Sequence, residues 1–542
     1  MAAVTPSSDL YLLQCPIEID QRNQINFTNA TSQYNYFFNL YKIGATNFSY
    51  QRKDSTIRYP AHIDSIRHFN YCMYRNDNYS NKWFYAFIES MEYLNDSTTL
   101  IKIKTDVYQT WQFDITFKRS FVEREHVNND AVGKHTLDEG LPTGEPMMNN
   151  NFSYKLGEGY AQIYAAQVTQ LPDGVTVSTS YQQRVYNGVP QGCYFVLMDR
   201  PSDLTKFTRW YDKKGQANAI VSMFIVPANL VLDAVFFDYT IGEGIGTTRL
   251  GFLPASFGAK NLANLTVYRG TTLNGYTPKN NKLFCYPYMY LMVSNNSGTN
   301  AVYKYEDFTN PAQCDWKIRG ALSQGCSIKI YPEGYKNAST DGAYDYGISW
   351  GKYPVISWTS DYYLNWQAQN GVNHAIQSAT NVFKSMANTA SGLISTADKN
   401  VSGPAQVFGG AANIVSDISN AIQEERVAQM IPDQAKGNIN CGDVNYSMGK
   451  TCVTFSCMSC RYEYAAMLDS YFSMFGYKVN EVKVPNITGR SNWNFVKTRQ
   501  CNIIGNIPQE DLDEIKGIFD SGVTIWHKTA YFMDYSQNNP IV

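Results

Sequence analysis

The stretch "NKWFYAF" at residues 81–87 restricts the possible folds more than any other part of the chain. Read as a strand, it places Trp83, Tyr85 and Phe87 on one face and Phe84, Ala86 and Ile88 on the other. Both faces are apolar, so both must be covered. The next residues alternate more simply. In "TLIKIKTDVYQTW" Ile101 and Ile103 oppose Lys102 and Lys104, so one face is buried and the other meets water. "NDST" at 95–98 supplies turn residues between segments 84–94 and 99–111, which predicts a hairpin.

At 542 residues the chain exceeds what one core supports, since single cores stop growing near ~250 to 300 residues. Aromatic residues make up 14%, with 41 Tyr, and charged residues only 17%, a mix that favours β-structure. The fold class expected is mainly β with some α, in several domains. A net charge of -2 offers no electrostatic footprint for gripping nucleic acid. The N-terminal "MAAVTPSSDLYLLQCPIEID" has no basic start and only a short apolar run, so no secretory signal is expected there. Eleven scattered Cys fit a reducing compartment. The cluster Cys441, Cys452, Cys457 and Cys460 has one C-x-x-C and no nearby His. No metal or other cofactor is expected; "CVTFSCMSC" reads as a strand whose thiols behave as small hydrophobes.

Composition shifts mark the domains. Residues 1–150 are strand-rich and end in a stretch of Gly, Pro and Asn; 151–280 form a Gly-punctuated β region; strands resume over 281–373 and again, mixed with helix, over 439–542. Between them, 374–438 is rich in Ala, Ser, Asn and Gly, and 375–423 holds only Lys384, Asp398, Lys399 and Asp417 as charges. Its apolar residues recur at three and four, predicting two weakly amphipathic helices. The larger ones are Phe383, Met386, Leu393, Ile394, Val407, Phe408, Ile414, Val415 and Ile418. Further on, Tyr464, Leu468, Tyr471 and Phe475 share a helical face that ends at Gly476. Leu512, Ile515 and Phe519 form the stripe of a second helix that starts near Pro508 and stops at Gly522. "VTIWH" reads as a closing strand.

Catalytic patterns are few. The six His lie in no H-E-x-x-H spacing, no G-x-S-x-G elbow occurs, and "GEGIG" at 242–246 reads as a turn or bulge. Glu123, Glu125, Asp138 and Glu139 would have to pair across a cleft to cleave a glycoside; the simpler reading is ion-paired surface. No catalytic residue is assigned.

Several stretches together resemble one family. "NKWFYAF", "DVYQTWQFDITFKRSFVEREHV" with "LDEGL", "KLFCYPY", "FGYKVNEVKVPN" and "GNIPQEDLDEIKGIFDSGVTIWH" are similar, in this order, to the tail knob (distal tail tube) proteins of small short-tailed, protein-primed bacteriophages of Gram-positive hosts. The resemblance implies a virion protein at the tail tip, made in the host cytoplasm. It implies a homo-hexamer forming a hollow ring of tail-tube type β-sheet domains, joined to adjoining tail or collar proteins, with DNA passing the lumen unbound. It makes Trp83, Phe84, Tyr85, Phe87, Trp111, Phe113, Tyr477 and Trp526 residues of the tube core, with one face of "NKWFYAF" covered by its own domain and the other by a neighbour or helix. It also implies that the insertion 374–438 plugs the tube and then penetrates the host cytoplasmic membrane. Two other readings compete: a receptor-binding adsorption protein without membrane activity, suited to the many Tyr and Asn, and a wall-degrading enzyme.

Overall fold

The computed structural model describes residues 8–352 and 452–542, apart from 47, 52–53, 77–81, 156–161, 182–184, 187–188, 191–192, 217–218, 255–259, 297, 321–326 and 340–341. The chain forms two compact units. One comprises residues 1–145, 275–288 and 460–542; the other comprises 146–274 and 289–459. The sequence reading divides the chain at 150, 280, 373 and 438. The strand Met289–Ser294 joins the second unit because it pairs with Cys452–Ser459 in that unit.

The first unit is built on a seven-stranded antiparallel sheet in the order Lys42–Ala45, Ser8–Leu13, Tyr71–Asn76, Phe84–Asn95, Thr98–Thr105, Thr56–Tyr59, Ser49–Gln51. The hairpin expected around "NDST" is present, and Ile101 and Ile103 are buried as their alternation requires. Both faces of the Phe84–Asn95 strand are covered at its start. Ala86 lies among Leu10, Leu12, Ile57 and Ile103 of the same sheet. Tyr85 and Phe87 lie among Phe37, Tyr71, Trp493 and Trp526. The second cover comes from the helix Ala30–Phe38 and from a second sheet of this same chain, so these two side chains need no neighbouring molecule. They are 2% exposed.

That second sheet runs Asn23–Ile25, Val523–Trp526, Trp493–Arg499, Ser120–Glu125, Tyr477–Lys483, and its first pair is parallel. Residues from the two ends of the chain thus share one ladder. Helix Gln509–Ser521 buries Leu512, Ile515, Ile518 and Phe519, with Pro508 at its N-cap and Gly522 at its C-cap. Its stripe packs on Val107, Tyr108 and Ile525.

Two local expectations need correction. Segment 99–111 is not one strand: Asp106 ends it by capping a short helix, Val107–Trp111, its carboxylate accepting from the Gln109 N–H at 3.1 Å. Helix Tyr462–Phe475 buries Ala465, Leu468, Asp469 and Phe472 rather than the face through Tyr464, Tyr471 and Phe475, because Asp469 is drawn inward by donors remote in sequence. The stretch of Gly, Pro and Asn that marks the first boundary runs into the strand Met147–Lys155, paired with Cys452–Ser459.

The second unit holds three larger sheets. A four-stranded one runs Met147–Lys155, Cys452–Ser459, Met289–Ser294, Asn300–Tyr303; "CVTFSCMSC" is thus an inner strand. Another runs Lys260–Tyr268, Gln313–Gly320, Ser327–Pro332, Ile348–Lys352. The five-stranded sheet runs Ile220–Pro227, Gln162–Val168, Tyr194–Met198, Gly246–Phe252, Val235–Ile241, and "GEGIG" makes its last turn. A helix absent from the sequence reading, Pro201–Lys213, covers this sheet with Leu204, Phe207, Trp210 and Tyr211. Pro at the first turn and apolar spacing of three and four were its signals.

Gly476 ends its helix with φ 63 and ψ -154, and a Cβ there would lie 2.1 Å from the Glu125 carbonyl oxygen. Only glycine fits both the conformation and the space. Gly476→Ala is expected to destabilise the first unit by on the order of 3 kcal/mol or more, read as a lowered denaturant midpoint.

Candidate functional site: a carboxylate clamp

The first unit receives the short segment 275–288 from a chain that has left it at 145 and leaves it again at 289. Three carboxylates hold this segment. Asp469, on helix Tyr462–Phe475 and 1% exposed, accepts from Tyr276 Oη at 2.8 Å, from the Lys279 and Asn280 N–H groups at 2.8 and 3.0 Å, and from Asn280 Nδ2 at 2.8 Å. Asp130 accepts from the Asn281 N–H at 2.9 Å and from Tyr477 Oη at 2.6 Å. Burial pushes the Asp130 carboxyl above its ordinary range.

Glu139 is the third. Its side chain is 0% exposed and pairs with Arg124 and with Lys282, whose own side chain is 2% exposed; it also accepts from the Lys478 N–H at 3.0 Å. Burial pulls the Lys282 ammonium below its usual range, and Glu139 opposes this. Such a buried pair adds little net stability, but removing one partner strands a charge.

The other acids of the motif are occupied too. Glu125 pairs with Lys483 and accepts from the Asn486 N–H at 2.8 Å; burial raises its carboxyl. Glu123 meets Lys497 at 3.2 Å and Arg499 at 3.1 Å. Burial pushes Glu123 up, but these two cations outweigh it and hold the carboxyl below its usual range. Asp138 accepts from the Gly140 N–H at 3.0 Å. The four acids are distributed over separate ion pairs and a turn, and the arrangement binds chain segments together.

His126 was one of six His without a pattern, and the structure gives it a defined job. It is 2% exposed. The Phe495 N–H donates to Nδ1 at 2.7 Å, which puts the proton on Nε2, and this donates to the Ser473 carbonyl at 3.1 Å. The ring is held neutral, with burial lowering it to about 3.

Most of the aromatic residues singled out in the sequence lie in one unit. Trp526 is fully buried, donates from Nε1 to Asn23 Oδ1 at 3.0 Å and packs on Trp493 with centroids 5.1 Å apart. Tyr85 meets Phe37 at 4.6 Å and Phe87 meets Tyr71 at 5.1 Å. Trp111 donates to Asp511 at 2.8 Å, with Phe84 at its ring edge, 5.9 Å away. Trp83 is partly buried against Tyr34 at 5.4 Å, and Tyr477 anchors the clamp through Asp130. Phe113 differs: it is 43% exposed in the turn after helix Val107–Trp111, outside the core of this chain. Phe383, Met386, Leu393, Ile394, Val407, Phe408, Ile414, Val415 and Ile418 lie outside the described residues. Asp469, Asp130, Asn280 and His126 went unrecognised in sequence, since an isolated polar residue carries no sign of the distant donors that bury it.

Residues 255–540 match the family described as the C-terminal domain of the tail knob protein gp9 of Bacillus phage phi29. The chain belongs to this tail knob family. Residues 8–117 also match the N-terminus of the caudoviral major tail proteins. Tail knob protein gp9 of Bacillus phage PZA is 26% identical over 98% of both chains, and that of Bacillus phage phi29 is likewise 26% identical over 98% of both. The tail knob protein gp12 of bacteriophage C1 shares the fold, with a TM-score of 0.67 at 14% identity, covering 99% of this chain and 100% of that one. As a tail knob protein the chain is a structural component of the virion tail, and its relatives are named for that part rather than for a reaction.

Two outcomes test the clamp. Glu139→Gln leaves Arg124 and Lys282 facing a neutral amide and is expected to cost ~3–5 kcal/mol of stability, measured by denaturant unfolding. For His126 the folded value lies below the ordinary 6.5. Its contribution is therefore full above about pH 6.5 and is lost as pH falls toward about 3. His126→Gln should flatten the decline in thermal midpoint over that window.

Proposed function

We propose that six copies of this chain close into the hollow knob at the distal end of the tail, and that the genome leaves the particle through it. In this reading residues 1–150, 281–373 and 439–542 contribute the tube wall, 151–280 stand beside it, and adjoining tail or collar proteins hold the ring. The observation that carries the reading is the end-to-end match with tail knob proteins of other phages, over 98% of this chain. A net charge of -2 suits a passage, because multiple cationic contacts to phosphate would stall sliding DNA.

The segment 374–438 is proposed to plug the tube before ejection and to penetrate the host membrane during it. This rests on the resemblance to tail knob proteins, and the low charge and apolar spacing of the segment are compatible with it. If residues 375–397 form one helix, it is roughly 34 Å long, near the ~30 Å of a bilayer core. Ser, Thr and Asn on its other face would need a shared aqueous channel, which several copies can enclose. Half-burying its nine larger apolar residues is worth on the order of 10 kcal/mol per chain.

Deleting 376–422 is expected to leave hexamers and virions intact while abolishing both leakage of dye-loaded liposomes and delivery of the genome. Normal infectivity of that mutant would turn the reading toward an adsorption protein. Failure of the ring to assemble would make the segment part of the wall.

A further inference from the structure

Asp106 takes no part in the reading above, yet it is one of the wholly buried acids of the first unit. It is 0% exposed. Its Oδ1 accepts from the Gln109 N–H at 3.1 Å and lies 3.5 Å from Gln24 Nε2, while Oδ2 accepts from Tyr71 Oη at 3.0 Å. Among the described residues no Lys, Arg or His pairs with it. The titratable groups that face it are all acids: Tyr71 on the strand Tyr71–Asn76, Tyr108 on its own helix, the Cys15 thiol, and Glu514 on helix Gln509–Ser521. Glu514 is itself paired with Lys104 at 3.0 Å. Of these, Glu514 makes a negative charge at Asp106 harder to hold, whereas the Tyr71 hydroxyl, like the Gln109 N–H and Gln24, donates to the ionised form and opposes burial only in part.

The carboxyl also heads a chain of hydrogen bonds. Gln109 Nε2 donates to Gln24 Oε1 at 2.9 Å and to the Ile25 carbonyl at 2.8 Å, and Gln33 Nε2 donates to the Gln109 carbonyl at 2.7 Å. Gln24 lies opposite Ile525 in the parallel ladder. The group therefore sits where the capped helix, the helix Ala30–Phe38, the N-terminal strand and the C-terminal strand meet.

We propose that Asp106 is a proton-operated latch: its protonated carboxyl holds this junction closed, and transfer of that proton to water leaves an unpaired buried charge that loosens it. Burial pushes the carboxyl up to about 7, from an ordinary 3.8. The folded value is raised, so the stabilising contribution is full below about pH 4 and is lost as pH rises through about 7. The knob subunit is tightest on the acid side of neutrality.

The test is hydrogen–deuterium exchange of the intact chain from pH 5 to 8, corrected for intrinsic exchange, on peptides covering 23–27 and 106–112. Wild-type protection should fall with pH, by up to about tenfold per pH unit for a one-proton step. Asp106→Asn, neutral at every pH, should hold constant protection. Tyr71→Phe removes a donor to the ionised form and should move the fall to higher pH; it serves equally if the first variant does not fold. Wild-type protection that is flat, or a fall that is the same in Asp106→Asn or unmoved in Tyr71→Phe, overturns the latch.

Discussion

The first unit depends on covering both faces of the strand that begins at Phe84. Tyr85 and Phe87 lie within a cluster whose other members include Trp493 and Trp526, more than four hundred residues further along the chain. At ~1.5 to 3 kcal/mol for each large apolar side chain buried, such a cluster stabilises only if both ends of the chain arrive together. The parallel pairing of Asn23–Ile25 with Val523–Trp526 is the backbone counterpart of that demand. Between these strands the chain leaves the unit twice and returns twice. The crossings fall near 145, 274, 288 and 459, and a clamp of buried carboxylates holds the segment that returns between them.

How far the sequence disclosed this differs by residue. The alternation of Ile101 and Ile103 with two lysines marked a strand with one wet face, and the structure buries those two residues. Leu512, Ile515 and Phe519 at helical spacing, between a proline and a glycine, marked helix Gln509–Ser521. These are local patterns, legible because the period of burial matches the period of the backbone. Asp106, Asp469 and Glu139 were not legible. A carboxylate is read as surface by default, and donors brought from elsewhere in the chain, such as Tyr71 for Asp106 and Asn280 for Asp469, make its burial possible. Phe113 is the opposite case: it is aromatic and sits in a recognisable motif, yet the helix capped by Asp106 turns the chain before it and leaves it exposed on this chain.

The acids that first suggested paired catalytic carboxylates carry a related lesson. Glu123, Glu125 and Glu139 each meet one or two cations, and Lys282 and Glu139 are both almost wholly shielded from water. A buried ion pair adds less stability than a good apolar contact, but it penalises every arrangement in which its partners part. That property suits a chain that must return to one unit in the correct register.

The dependence of the N-terminal sheet on the C-terminal strand is tested most directly by hydrogen exchange on full-length chains in which Trp526 is replaced by Ala. If the shared cluster holds the unit, protection should fall together in strands Trp493–Arg499, Tyr71–Asn76 and Phe84–Asn95. Loss confined to residues near 526, with the strands from Tyr71 and Phe84 protected as in the wild type, would contradict it.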